Sequence, residues 1–203
     1  MGQEVSMFRR IAIIAPLAAF LAFAPAVWSA IGVKGGFSLS TQRQGGATQT
    51  GSQMGFLAGV FLEKDVNRFF SVQPEVYLIQ KGGKKEVGDF FVFAVTTKLV
   101  CLDAVLLSKI YPVSLNSVRP FFAFGPVLSY IISGNYVYAT TSETIEDYRK
   151  LEAGFLFGGG ADVAIGKARA TFDARYNLGW TDVHKVPTRI WNHGLIISAG
   201  FLF

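Results

Sequence analysis

The sequence predicts an all-β protein: a closed, eight-stranded, antiparallel up-and-down barrel that crosses a membrane, preceded by a signal peptide. Three observations carry this. Between Thr171 and Thr181 the residues alternate, with Phe172, Ala174, Tyr176, Leu178 and Trp180 on one face and Thr171, Asp173, Arg175, Asn177 and Gly179 on the other. Strand side chains alternate with period two, so one face is apolar and the other polar, and this pattern recurs along the chain. The chain also opens on an export signal, and its connectors alternate between short and long.

At the N-terminus, Arg9 and Arg10 precede an apolar run from Ile11 to Val27 that ends in the small residues Ser29 and Ala30. That order of charge, apolar run and small residues is the signature of a secretory signal. The run approaches membrane-spanning length, but Pro16 and Pro25 oppose a stable anchoring helix. Residues 1–29 are therefore expected to be a signal peptide, cleaved after Ser29 or after Ala30. Residues 30–203 follow as one barrel domain.

Composition fits the same class. Of 203 residues 51% are hydrophobic and only 16% charged, against about 25% charged in a typical soluble domain. No stretch beyond the signal is long and apolar enough for a transmembrane helix, as expected when lipid-facing residues alternate with lumen-facing ones. The one cysteine, Cys101, has no partner for an internal disulfide, and its apolar strand context makes it a buried structural thiol. The net charge of +5 comes from scattered basic residues without an aromatic-interleaved stripe, so no nucleic-acid partner is expected. Lys81, Lys84 and Lys85 form the only local basic cluster, read as a glycine-rich loop that either meets anionic headgroups or is simply solvated.

Eight segments follow in order. The first spans Ile31 to Leu39, with Val33 and Phe37 outward and Lys34, Ser38 and Ser40 inward. The second covers Phe56 to Glu63. The third, Phe70 to Gln80, sets Phe70, Val72, Val76 and Leu78 against Ser71, Gln73, Glu75 and Tyr77. The fourth runs from Phe91 to Tyr111 with Asp103 and Lys109 inward. The fifth covers Phe121 to Ile131, the sixth Glu152 to Ile165, the seventh Thr171 to Thr181 and the eighth Gly194 to Phe203. Lys64 to Arg68, Pro112 to Arg119 and Gly166 to Ala168 are short connectors. Gln42 to Gln53, Lys81 to Asp89, Gly134 to Lys150 and Asp182 to Asn192 are long, the asymmetry of outer-membrane barrels. Pro74 and Pro126 lie inside strands, where they predict bulges or distorted pairing. Gly154, Gly158 and Gly160 share a face with Glu152 and Asp162 and predict room for charged groups from opposite strands.

The inward charges Lys34, Glu75, Asp103, Asp173 and Arg175 are expected to meet in the lumen as a paired network, because unpaired buried charge is costly. Arg175 is the expected hub, since a guanidinium can hold two carboxylates. A catalytic constellation is not evident. His184 and His193 are the only histidines, and neither has a nucleophile at a recognisable spacing. The triple glycine 158–160 lacks the Lys-Ser/Thr of a phosphate loop. No metal-ligand spacing is found, and no cofactor is expected.

The segments Gly32-Val33-Lys34-Gly35-Gly36-Phe37-Ser38-Leu39-Ser40, Phe70-Ser71-Val72-Gln73-Pro74-Glu75 with Lys81-Gly82, Arg119-Pro120-Phe121-Phe122-Ala123-Phe124-Gly125-Pro126 and Gly200-Phe201-Leu202-Phe203 resemble the PorT-like outer-membrane β-barrel proteins. They are short, but their order spans nearly all of the chain after the signal. The resemblance implies an eight-stranded barrel in the outer membrane of a diderm bacterium, and tolerance of Pro74 and Pro126. It also implies that Phe203 is the assembly signal read by the outer-membrane assembly machinery. Cys101-Leu102-Asp103-Ala104-Val105-Leu106 departs from the family's aromatic-Leu-Glu-Ile-Pro-Leu, which weighs against a close relationship to the secretion-associated founding member.

The expected role is structural or loop-mediated rather than catalytic, with a plugged polar lumen. Expected partners are outer-membrane lipid, the assembly machinery, and a surface or secretion protein reached through the long loops. The richest loop is Gly134 to Lys150, where Tyr136, Tyr138 and Tyr148 are recognition candidates. Two alternatives stay open at this level: a lipid-modifying barrel enzyme, and a soluble periplasmic lipocalin-like barrel with its apolar face inward.

Overall fold

The computed structural model describes residues 30–44, 47–48, 51–87, 93–113, 115, 117–138, 141–144, 150–181 and 190–203. Its strands are β1 (Ala30–Gln44), β2 (Ala47–Thr48), β3 (Gly51–Asn67), β4 (Phe70–Val87), β5 (Phe93–Ile110), β6 (Val118–Tyr138), β7 (Thr141–Thr144), β8 (Leu151–Ile165), β9 (Ala168–Gly179) and β10 (Ile190–Leu202). Eight of them pair in the order β10-β9-β8-β6-β5-β4-β3-β1, and β1 returns to β10 to close the ring. Every pairing is antiparallel, and closure runs from Gly32↔Leu202 to Gln44↔Ile190. The two-residue β2 folds back on β1, and β7 on β6. No sheet edge remains in the barrel wall, which is what lets strands cross hydrocarbon.

Polarity is inverted relative to a soluble barrel. Val33, Phe37, Phe56, Leu78, Leu106, Phe124, Leu128, Phe172 and Ile197 are exposed on the outer wall, with Phe122 at 63%, whereas Arg175 retains 2%. This excludes the lipocalin-like alternative, which needs the charges outside. The lumen is less polar than alternation alone suggests. Leu57, Ile79, Leu99, Cys101, Val105, Leu107, Val127, Ile131, Leu156 and Ile196 pack there with Tyr77 as an apolar cluster. An eight-stranded barrel has an interior that side chains can fill, so its lumen packs like a core.

Both described ends, Ala30 and Phe203, lie at the end of the barrel that carries the tight turns. Arg68 and Phe69 join β3 to β4, and Gly166 and Lys167 join β8 to β9. Gly166 has φ of +64°, the left-handed conformation that a tight turn needs and that residues with a Cβ resist.

At the opposite end the strands overrun the boundaries expected from sequence. β3 spans 17 residues, β4 and β5 18 each and β6 21, against about 9–11 for a membrane crossing. Residues 81–87, expected in a loop, continue β4, and residues 134–138 continue β6. Beyond the bilayer no lipid selects apolar residues on the outer face. The alternation fades there, although the backbone still gains from ladder pairing.

The prolines disturb pairing without shifting it. The β3–β4 ladder breaks off at Phe61↔Glu75 and resumes in register at Lys64↔Val72 beside Pro74. The β5–β6 ladder breaks off at Val105↔Val127 and resumes at Ser108↔Phe124 beside Pro126. Each proline keeps its other neighbour, Pro74↔Leu106 and Pro126↔Phe155, because only one ladder needs its missing N–H. Register shifts fall elsewhere, between Ser52 and Leu57, Asp65 and Asn67, and Val100 and Cys101. Of the two outcomes expected at the prolines, bulges or distorted pairing, the ladders show the second, as local gaps without a register shift.

Candidate functional site

The polar lumen residues fall into three tiers along the barrel axis. In the middle tier Arg175 on β9 reaches Glu75 on β4 (Nη1–Oε2, 2.7 Å) and its own-strand neighbour Asp173 (Nη2–Oδ2, 2.8 Å). Lys34 on β1 completes the group, 3.0 Å from Glu75 and 3.5 Å from Asp173. Gln73 donates to Glu75, and Ser198 on β10 donates to Asp173 at 2.8 Å. Lys34 Nζ also lies 5.8 Å from the Phe61 ring centroid and 5.9 Å from that of Tyr77. All four charged side chains are buried. Their mutual attraction and hydrogen bonds must offset the cost of removing four charges from water.

The tier toward the tight turns has Lys109 between Glu63 (2.8 Å) and Asp162 (3.4 Å). Arg169 pairs with Glu63 and lies 3.6 Å from Asp162. The Tyr111 hydroxyl donates to Asp162 at 2.8 Å, and Lys109 sits 4.3 Å over the Phe121 ring. At the mouth, Arg119 and Arg169 both reach Asp65, and Arg119 covers Tyr111 at 3.9 Å.

The tier toward the long connectors has Lys81 on β4, 2.9 Å from Asp103 on β5 and donating at 2.7 Å to Ser129 on β6. Asn192 on β10 donates to Glu152 on β8 at 3.0 Å.

The sequence-derived set therefore divides. Lys34, Glu75, Asp173 and Arg175 meet, with Arg175 holding two carboxylates. Asp103 stands apart: it lies opposite Tyr77 in the β4–β5 register, and the Lys81 side chain reaches it from four residues further along β4. The sequence pattern puts Lys81 in a loop, yet it is buried and faces the same way as Glu75, Tyr77 and Ile79. Two-residue spacing from Glu75 was the available signal. The lower tier was only partly visible: Lys109 and Asp162 had inward parity, but their partners Glu63, Tyr111 and Arg169 follow from shear between strands, which parity does not report. The β8 glycines also differ from expectation. A Cβ on Gly158 would meet the Ala174 and Arg175 backbone, and one on Gly160 the Phe121 ring at 2.8 Å. They admit the neighbouring strand and an aromatic ring, not charges from across the lumen.

Other candidates are placed as follows. Residues 1–29, Tyr148 and His184 lie outside the described residues, and Tyr136 and Tyr138 belong to β6 by their backbone. His193 is buried, its ring 6.3 Å from that of Tyr176. Cys101 is buried in the apolar cluster. Trp180 stacks on Phe155 at 5.8 Å at the long-connector end, where an aromatic belt is expected. Phe203 donates its backbone N–H to Ile31 at 2.9 Å and leaves its ring exposed. Among the described residues no helix is long and apolar enough to cross a membrane, which says nothing of strands. Also among the described residues, no three metal-ligating side chains converge.

The family model for the outer membrane protein beta-barrel domain matches residues 28–185. The chain belongs to this family. It is an integral β-barrel of the outer membrane. Among solved structures, Neisserial surface protein A is similar with a TM-score of 0.50 and 13% identity, over 84% of this chain and 95% of that one. OprG of Pseudomonas aeruginosa gives 0.48 and 13%, over 87% and 96%. Ail, the attachment invasion locus protein of Yersinia pestis, gives 0.45 and 11%, over 87% and 99%. At such identities the likeness to Neisserial surface protein A is one of fold. No curated protein matches the chain.

Proposed function

We propose that this outer-membrane barrel is a non-conducting, non-catalytic scaffold that presents its long-connector end to a partner outside the membrane. The observation that carries the reading is the Arg175–Glu75 pair. It joins β9 to β4, four places apart in a ring of eight, so charged side chains span the lumen at mid-height. Packed apolar residues and two further charge tiers above and below it support a closed interior. The side chains of the tiers engage one another, which leaves no poised nucleophile and base among them.

The partner reading rests on asymmetry: tight turns at one end and extended strands with long connectors at the other. Segments on a rigid scaffold commonly carry recognition, and the Tyr136, Tyr138 and Tyr148 segment is the richest in contact-forming side chains. The partner is a surface protein, a secretion component or a lipid headgroup. PorT-like membership within the family, a cleaved signal at residues 1–29 and recognition of Phe203 by the assembly machinery belong to the same proposal.

Planar-bilayer recordings and cross-linking on intact cells test it. The purified barrel is expected to give no large, stable single-channel conductance. Deletion of residues 137–147 is expected to leave assembly intact and remove a cross-linked partner. Porin-like conductance overturns the plugged lumen, and retention of every cross-link overturns the loop role.

A further inference from the structure

The outer wall carries a groove of about 640 Å³ across β4, β5, β6 and β8, a size within the range of about 300–1,000 Å³ usual for small-molecule sites. One register row sets its floor: Val76↔Ala104, Ala104↔Leu128 and Leu128↔Ala153. Ala104 and Ala153 are the small positions of that row. On β5 Ala104 lies between Leu102 and Leu106 on the outward face, and Trp180 borders the groove toward the long-connector end. Pro74 and Pro126, beside which two ladders lapse, complete the lining.

Leu106, Leu128 and Trp180 are exposed, so the groove opens on the lipid-facing wall and is continuous with it. Within hydrocarbon an apolar lining gives no preference by itself, because lipid tails are as apolar as leucine. What distinguishes a groove from a smooth wall is packing: a chain lying in it touches protein atoms on several sides and gains dispersion contacts. A second feature bears on the headgroup. On β5 the outward face continues from Leu102 through Val100 to the exposed Lys98, about 13 Å nearer the long connectors at a strand rise of about 3.3 Å per residue. The exposed Lys84 stands on β4 in a neighbouring row, Lys84↔Thr96 beside Gly82↔Lys98. Among the described residues neither lysine forms an ion pair. Both lie toward the end where Trp180 marks the aromatic belt, the level of lipid headgroups.

We propose that the groove holds an acyl chain of one phosphate-bearing lipid from the leaflet at the long-connector end, and that Lys84 and Lys98 meet its phosphate. Packing in the groove favours a held chain over bulk lipid, and two ammonium groups favour an anionic headgroup over a zwitterionic one. The site belongs to the wall and not to the long connectors. It does not depend on the scaffold and loop roles proposed above, and its failure would leave the conductance and cross-linking results untouched.

The test uses the folded full chain in detergent, with Trp28→Phe and Trp191→Phe so that Trp180 is the only tryptophan. Phosphatidylglycerol and phosphatidylcholine carrying the same brominated chains are titrated in, and quenching of Trp180 fluorescence is followed. Heat-modifiable migration checks that each variant is folded. Brominated phosphatidylglycerol is expected to quench in a saturable phase with a single lipid per barrel, bound at least about fivefold tighter than phosphatidylcholine. Ala104→Leu with Ala153→Leu fills the groove and is expected to remove the saturable phase. Ala104→Leu alone is expected to weaken it and serves if the pair does not assemble. Lys84→Gln with Lys98→Gln is expected to keep the phase and equalise the two lipids. Quenching that never saturates, a saturable phase unchanged in the filled groove, or equal affinity for the two headgroups before the lysines are changed overturns the proposal. So does a dimeric mass in detergent that reverts to monomer on filling the groove, which assigns the groove to a second copy of the chain.

Discussion

Arg175 on β9 and Glu75 on β4 form a 2.7 Å ion pair between strands that stand opposite each other in the ring. No local rule of strand pairing brings these residues together; barrel closure does. The pair ties the two halves of the wall through the interior. Removing Arg175 leaves Lys34 alone against Glu75 and Asp173, an uncompensated negative charge in a packed lumen. Arg175→Met is therefore expected to destabilise the barrel by about 3–5 kcal/mol, measured by urea unfolding in lipid vesicles. A joint change of Arg175, Lys34, Glu75 and Asp173 to apolar residues of similar volume is expected to recover most of that loss. A loss below about 1 kcal/mol in the single variant would mean that the pair is solvated.

The lower tier offers a smaller and cleaner test. Tyr111→Phe removes the hydroxyl that donates to Asp162 at 2.8 Å and keeps the ring against Phe121. Hydrogen bonds to charged groups contribute about 1.5–3 kcal/mol, so a loss in that range is expected in the same unfolding measurement. An unchanged midpoint would assign Asp162 wholly to Lys109 and Arg169.

On the outer wall the expected cost depends on depth. Phe124 lies exposed in the first half of β6, between the tight-turn end and the extended end, whereas Val66 lies at the end of β3 beside the Arg68–Phe69 turn. Phe124→Arg is expected to cost about 2–4 kcal/mol in bilayers, and Val66→Arg about 0–1 kcal/mol. Folding yields into vesicles compare them directly. Equal costs would show that Phe124 does not face hydrocarbon.

Gly166 isolates a backbone effect. A Cβ there meets nothing within 4 Å, yet φ is +64°. Gly166→Ala is expected to cost about 1–2 kcal/mol through conformation alone, and Gly166→Asn less, because asparagine tolerates the left-handed region. Identical stabilities for the two variants would show that the turn relaxes.

Period-two alternation, taken with the expected export signal and the alternating connector lengths, was enough to read the class and the eight-stranded ring, and to put Lys34, Glu75, Asp173 and Arg175 on the polar faces of their strands. Each side chain in a membrane barrel sees either lipid or lumen, and that choice is written residue by residue. Alternation failed where its cause failed. Beyond the bilayer the outer face meets water instead of lipid, so the extension of β4 through Val87 and of β6 through Tyr138 carries no apolar stripe, and Lys81 reads as a loop residue although it is buried. It was also blind to height, because parity gives a face and not a level. Stagger between strands therefore decided that Asp103 meets Lys81 rather than Arg175, and that Glu63, Lys109, Asp162 and Arg169 form a tier of their own. Which residues share a face was a property of the sequence; which face turns inward, and which charge faces which, were settled only by closing the ring, since partners across a lumen share no spacing along the chain.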